Sequence, residues 1–303
     1  MKVKTNYYFS GMNIDWRWYS NIVRICLMSL ILLIISGKSK FAQDQTLNFQ
    51  IDFNEINGEL TSKDLYKKDF GRYDGYNIDL YAGEAVNCIV YSNSFQPVLA
   101  LVNSKGEIVK QSDKNRNGYA NIAVIIPATD KLVLYVIGEE ASRGKYTLQT
   151  SVAEPKSLYV SDGAEFCTKL DFLLAHSIAY FSFIDNPALT NQPLVKFPET
   201  VDVFIDEEDG AYKSVLYSDK DLSVAEISFK KVSDKIKSCL GTDWKYSSAN
   251  WQRVEDHREK YVSFEETNKD KKRYVKVVLF DYTDSKQNGS GNFMVTLEIS
   301  RNH

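Results

Sequence analysis

Histidine is scarce in this chain: among 303 residues only His176, His257 and His303 can supply an imidazole. Cysteine is nearly as rare. There are four, with no C-x-x-C pair and no Cys/His pair at ligand spacing, so nothing points to a zinc module. No Gly-x-Ser-x-Gly, His-Glu-x-x-His, phosphate-binding loop or dinucleotide fingerprint occurs. An excess of positive charge is also missing. Residues 1–42 hold six Lys/Arg and one Asp; without them 31 basic side chains face 39 acidic ones, a formal charge of −8. Such a body lacks the electrostatic footprint of a nucleic-acid binder and is repelled by anionic lipid. Beyond the first 42 residues no apolar run is long enough to cross a bilayer.

What is there begins with export. Arg17 and Arg24 precede the apolar core Ile25–Ile35, followed by Ser36-Gly-Lys-Ser-Lys-Phe-Ala-Gln43. A positive region, a short apolar core and a small residue at the exit are the parts of a secretory signal. Cleavage after Ala42 is the expectation, with Lys40 irregular for such a site and an uncleaved anchor as the alternative. Location in the periplasm, at the cell surface or outside the cell follows. Of the three cysteines then left, Cys88 alternates with Val86 and Val90 and reads as a small buried residue. Cys167 and Cys239 fall on two separate helices; a bridge between them and two separately buried thiols both remain open.

From 45 to 153 the pattern is β. Tyr76, Ile78 and Leu80 alternate with polar residues, as do Val86, Cys88 and Val90, then Ile122, Val124 and Ile126, then Leu132, Leu134 and Val136. Around eight strands divided by turn residues point to a β-sandwich. Gly58-Glu-Leu60, Tyr73-Asp-Gly-Tyr-Asn-Ile-Asp-Leu80, the Ala82-Gly83 turn, Ser92-Asn-Ser-Phe-Gln-Pro-Val-Leu-Ala-Leu101, Gly106 and Gly144-Lys-Tyr-Thr-Leu148 follow in order. In that succession, residues 50–152 resemble the bacterial pre-peptidase C-terminal domain, a jelly-roll-like sandwich appended to secreted peptidases. The resemblance implies a non-catalytic accessory domain that binds protein or polymer. Phe95-Gln-Pro97 departs from the family's Phe-Asp-Pro, which removes a carboxylate able to cap the turn or hold an ion.

Calcium enters through Asp113, Asn115 and Asn117, which match the first half of an Asp-x-Asn-x-Asn-Gly loop. The bidentate acid expected at position twelve is Val124, and Lys114 and Arg116 intervene, so a plain hairpin turn is the favoured reading. No other cofactor is implied.

Ala153-Glu-Pro-Lys-Ser157 marks the boundary to a second region, 158–303. Asp162-Gly-Ala-Glu165 and Ser223-Val-Ala-Glu226 have capping-box spacing ahead of two helical patterns, and Gly241 reads as the second helix's stop. Strands are expected at 201–205, 211–217, 244–247, 261–264, 274–281 and 292–299, with Asn288-Gly289 as the last turn. The order predicts an α+β sandwich: an antiparallel sheet with two helices on one face.

Candidate chemistry in this half is thin. His176 lies beside an apolar stripe, where packing outweighs general-base work. His257 sits in Glu255-Asp-His-Arg-Glu-Lys260, which reads as a solvated loop, although with Cys239 it would make a thiol–base pair if the fold joined them. Asp206-Glu-Glu-Asp209 is the densest acidic cluster and reads as a solvated turn. Trp244, Tyr246 and Trp251 are a candidate stacking platform for sugar or peptide, with ordinary core as the alternative. The sequence thus leads to the expectation of an exported non-catalytic binding or accessory protein. Its partner would be a protein or polysaccharide of the envelope or exterior. A hydrolase with its site in the second half, and a chaperone or apolar-ligand carrier, are the alternatives.

Overall fold

The computed structural model describes residues 49–301 except 69, 114–117, 185–188, 190–193, 207–208, 269–271 and 286–291. The expected leader 1–42, Asn115, Asn117, Glu207, Glu208, Asn288, Gly289 and His303 lie outside the described residues. Among the described residues no helix is long and apolar enough to cross a membrane.

Among the described residues nine antiparallel strands fill the first part: β1 (Ile51–Leu60), β2 (Leu65–Lys67), β3 (Gly71–Leu80), β4 (Ala85–Tyr91), β5 (Val98–Val102), β6 (Ile108–Gln111), β7 (Tyr119–Ile125), β8 (Asp130–Gly138) and β9 (Gly144–Ala153). They form two sheets, β1-β9-β4-β7 and β2-β3-β8-β5-β6. Successive side chains of a strand point to opposite faces, so the alternating apolar residues of each sheet share its inner face. Leu60, Val86, Cys88, Val90, Ile122, Leu134 and Leu148 meet there, essentially without solvent exposure. Burying each large aliphatic side chain contributes roughly 1.5–3 kcal/mol before ordering costs. This is the expected sandwich.

The connector is pinned on both sides. Pro155–Ser157 forms a single 3-10 turn in which Ser157 is fully buried. Its hydroxyl accepts from the Gln50 N–H at 2.9 Å, and its carbonyl lies 2.8 Å from Nε2 of His176.

The second part holds α1 (Phe166–Ser177), β10 (Asp202–Asp206), β11 (Ala211–Asp219), α2 (Leu222–Cys239), β12 (Trp244–Val254), β13 (His257–Glu266), β14 (Arg273–Asp281) and β15 (Phe293–Arg301). The six strands form one antiparallel sheet ordered β10-β11-β15-β14-β13-β12. Both helices pack against its central strands β11 and β15, and α2 also reaches β14. Leu170, Leu173, Phe181, Ile236, Val277, Val295 and Leu297 fill the space between helices and sheet.

Three local readings are corrected. Helix α1 starts at Phe166 with Glu165 as N-cap and no side-chain cap bond, so Asp162 stands too far back for a capping box. Helix α2 is capped by Asp221, whose carboxylate accepts from the Ser223 and Val224 N–H groups; Ser223 is already inside the first turn. The charged stretch 255–260 is not a loop. Strand β13 starts at His257 after a turn at Glu255, whose φ is +51°, and its charges find distant partners. Lys260 pairs with Glu226 at 2.7 Å, and Arg258 pairs with the buried Asp281.

A third apolar cluster joins the two parts. Ile51, Ala85 and Ala153, on the outer face of the four-stranded sheet, pack against Ala179, Phe183 and Leu189 from the segment after α1. That sheet is therefore covered at one end and open at the other.

Candidate functional site

The open end of the four-stranded sheet carries a groove whose floor follows from strand register. Asn57, Thr147, Tyr91 and Tyr119 align across β1, β9, β4 and β7. Glu55, Gln149, Ile89 and Asn121 form the next row, and Phe53, Ser151, Asn87 and Ala123 the one after it. A depression of about 710 Å³ lies over the first row and is walled by Ser92, Asn93, Ser94 and Lys145. A second, of about 410 Å³, lies over the other two rows and is walled by Tyr180, Ser182, Asp209 and Gly210 from the second part. The two depressions share Tyr91. The combined groove runs along the strands for the seven residues from Lys145 to Ser151, six steps or about 20 Å at strand rise.

Its polar groups are partly paired with each other. Thr147 donates its hydroxyl to Oδ1 of Asn57 at 2.9 Å, and Nε2 of Gln149 donates to Oε2 of Glu55 at 2.9 Å. Tyr91 is 45% exposed, its ring tilted against Tyr119 at 5.3 Å between centroids. At the inner end, Oδ1 of Asn87 and Oγ of Ser182 are buried with no hydrogen-bond partner. Buried polar atoms are nearly always satisfied in native proteins, so an unpaired pair at the end of a groove calls for an explanation.

The wall at Tyr180 is held deliberately. Tyr180 and Phe181 adopt consecutive positive φ values of 51° and 59°, in the left-handed region that non-glycine residues seldom occupy. Arg301 stands 4.4 Å from the Phe53 ring and 5.7 Å from that of Tyr180, and donates to the Ile178 carbonyl at 3.0 Å. The last strand thus clamps the turn that carries Tyr180 against the sandwich.

The residues singled out from sequence lie elsewhere. Trp244 and Trp251 are half-buried against the helix–sheet core. A register shift in β12 between Ala249 and Gln252 returns Trp251 to the face of Trp244. Their rings are already occupied: Arg273 stands 5.6 Å from Trp244, and Lys260 and Arg258 stand 5.0 and 5.7 Å from Trp251. Tyr246 is half-exposed, against Phe264 and beneath Lys237. Asp206 and Asp209 both bind Lys213, at 2.7 and 3.0 Å. Asp113 is exposed. Among the described residues no group of three or more His, Cys, Asp or Glu side chains is placed to hold a metal.

Cys167 and Cys239 are joined as a disulfide between α1 and α2, which leaves Cys239 no thiol to pair with His257. Cys88 is a free, fully buried thiol whose pKa is pushed up to about 12 by burial. His257 instead lies tilted against Phe280 and Tyr282, with centroids at 5.4 and 5.1 Å, and stands 3.4 Å from Asp256. At Asp281 burial opposes ionisation, but hydrogen bonds from Thr283 and Arg258 outweigh it and hold the carboxyl below its ordinary range. Sequence reasoning missed Asn57, Tyr91, Thr147 and Gln149; their only local signal is a polar residue at alternate strand positions.

No family model and no curated protein matches the chain. Similar solved structures include PliG of Aeromonas hydrophila, a periplasmic inhibitor of g-type lysozyme. It is 15% identical, over 33% of this chain and 85% of that one, with a TM-score of 0.27. The pre-peptidase C-terminal domain of a Bacillus anthracis collagenase is 17% identical over 32% of this chain and 87% of its own, with a TM-score of 0.25. A cycloisomaltooligosaccharide glucanotransferase of Paenibacillus sp. is 10% identical over 83% of this chain and 44% of its own, with a TM-score of 0.23. Likenesses at this level say nothing about ligand or activity.

Proposed function

We propose that this protein is an exported, non-catalytic binding or accessory protein that engages a protein or glycan partner through the β-sandwich. Residues 1–42 act as its leader, 45–153 form the binding sandwich, and 158–303 the α+β part that completes one wall of the site. The observation that carries this reading is the groove around Tyr91: concave, open, and floored by amide, hydroxyl and aromatic side chains. Sites of this kind fix a ligand by a few placed polar groups beside apolar contact. The acidic body favours a partner other than nucleic acid. Calcium has no part in this reading.

A sedimentation assay tests it. The full chain, mixed with a bacterial cell-envelope fraction, is expected to co-sediment, and Tyr91→Ala combined with Asn57→Ala is expected to abolish this while leaving the melting temperature near that of the parent. Co-sedimentation unchanged in that variant would count against the reading. So would hydrolysis of a peptide, ester or glycan substrate that a point mutation within 158–303 abolishes.

A further inference from the structure

We infer that the groove takes a neutral, hydroxyl-rich oligosaccharide; this rests on the reading of the groove as a binding site and narrows its ligand to one class. Hydrogen-bonding capacity comes first. The Thr147–Asn57 bond leaves the Asn57 amide N–H₂ as a double donor, and the Gln149–Glu55 bond leaves Oε1 of each as an acceptor. Donors and acceptors therefore succeed one another along the floor, as successive sugar hydroxyls, each both donor and acceptor, require.

The aromatic element fits the same ligand. Tyr91 stands where the two depressions meet, with its ring buttressed by Tyr119. The C–H face of a sugar ring is weakly positive and apolar, and docks on the negative face of such a ring.

Charge decides against an acidic polymer. Among the described lining residues Glu55 and Glu59 face the cation Lys145, and the third carboxylate, Asp209, is already paired with Lys213, so the lining leans acidic and offers a uronic or sulfated chain no cluster of cations. Strand order decides against an extended peptide. Such a peptide adds to a free sheet edge, here β1 or β7, whereas the middle of the floor is β9 and β4, each hydrogen-bonded to neighbours on both sides, so a ligand lying over it meets side chains and not free backbone. A groove of about 20 Å suits an oligomer rather than a single sugar.

The test uses the full chain and titration calorimetry with cello-, malto- and chito-oligosaccharides, and heparin as the anionic comparison. At least one neutral oligosaccharide is expected to bind, with affinity reduced about tenfold or more by Tyr91→Ala. Gln149→Ala should weaken it as well, while Ile108→Ala on the far sheet should not. A preference for heparin, or neutral binding indifferent to both groove variants, overturns the inference. So does the absence of neutral binding when the envelope's protein fraction, but not its protease-treated polysaccharide, retains the chain in a Tyr91-dependent manner. That last result leaves the binding-protein reading standing; retention of neither fraction removes both.

Discussion

Tyr146 on β9 donates its hydroxyl to Oδ2 of Asp74 on β3 at 2.6 Å, a bond from one sheet of the sandwich to the other. The Tyr76 hydroxyl joins the same pair. Burial raises the Asp74 pKa, the Tyr146 bond opposes that rise, and nearby Asp64 adds to it. Tyr146 itself is held firmly protonated, first by burial and then by the Asp74 carboxylate. The bond is therefore asymmetric in what each partner needs. Tyr146→Phe removes the donor and strands a partly buried carboxylate, which should cost about 1–3 kcal/mol in urea unfolding. Asp74→Asn keeps an acceptor for the hydroxyl and removes the charge, so its loss should be clearly smaller. An Asn variant as damaged as the Phe variant would mean that the carboxylate's charge is required.

Gly58 exists to let Tyr146 lie flat on β1. A Cβ at position 58 would stand 2.2 Å from Cζ of Tyr146 and 2.4 Å from its hydroxyl oxygen. The ring has no room to move, because its hydroxyl is tied to Asp74. Gly58→Ala should therefore destabilise by about 1–3 kcal/mol through overpacking. A double-mutant cycle is the check: combined with Tyr146→Leu, the glycine substitution should cost much less than alone. Full additivity would assign the cost to backbone effects.

Much of this fold was legible because its signals are local. Val86, Cys88 and Val90 alternate within five residues, and a strand with one buried face needs nothing further to be recognised. Helix termini were less legible for an equally local reason. Asp221 and Ser223 can each cap α2, and only the chain's approach from β11 selects the aspartate. The segment 255–260 was misread because its charges are neutralised by Glu226 and Asp281, partners that sequence spacing does not disclose. The groove was not legible at all. Alternation says which face of a strand is buried in its own sandwich; it does not say that Asn57, Thr147 and Tyr91 share a row, nor that Tyr180 rises beside them.

The Cys167–Cys239 bridge closes a loop of 72 residues that contains β10, β11 and nearly all of both helices. In the chain-entropy account, a loop of that length restricts the unfolded ensemble by about 4 kcal/mol, to the extent that the folded state is unchanged. The double variant Cys167→Ser/Cys239→Ser should lose stability of that order, and reduction of the parent chain should reproduce it. Cys88 does not complicate the measurement, since its buried thiol should not react with a thiol reagent in the folded protein at pH 8. An unfolding midpoint insensitive to reductant would show that the α1–α2 packing alone sets the order of this region.

His176 should make the fold acid-sensitive in a definite window. It is fully buried against Phe172 and Phe183, with centroids at 4.3 and 6.2 Å, and its Nδ1 has no partner. Burial lowers its pKa to about 4, and the hydrogen bond to the Ser157 carbonyl only partly opposes this. In the unfolded chain the imidazole titrates near its ordinary value of about 6.5. Between those two values the unfolded state binds more protons than the folded one, so unfolding free energy rises with pH. The contribution is fully present above about pH 6.5 and lost as pH falls toward 4, to the extent of about 3 kcal/mol. Denaturant titrations at pH 7.5 and 4.5 on the parent and on His176→Gln read it directly. Glutamine retains a donor for the Ser157 carbonyl but does not titrate, so the variant should lose less stability than the parent over that interval, whatever its stability at pH 7.5. Equal losses in both would place the acid sensitivity in the carboxylates and leave His176 without a part in it.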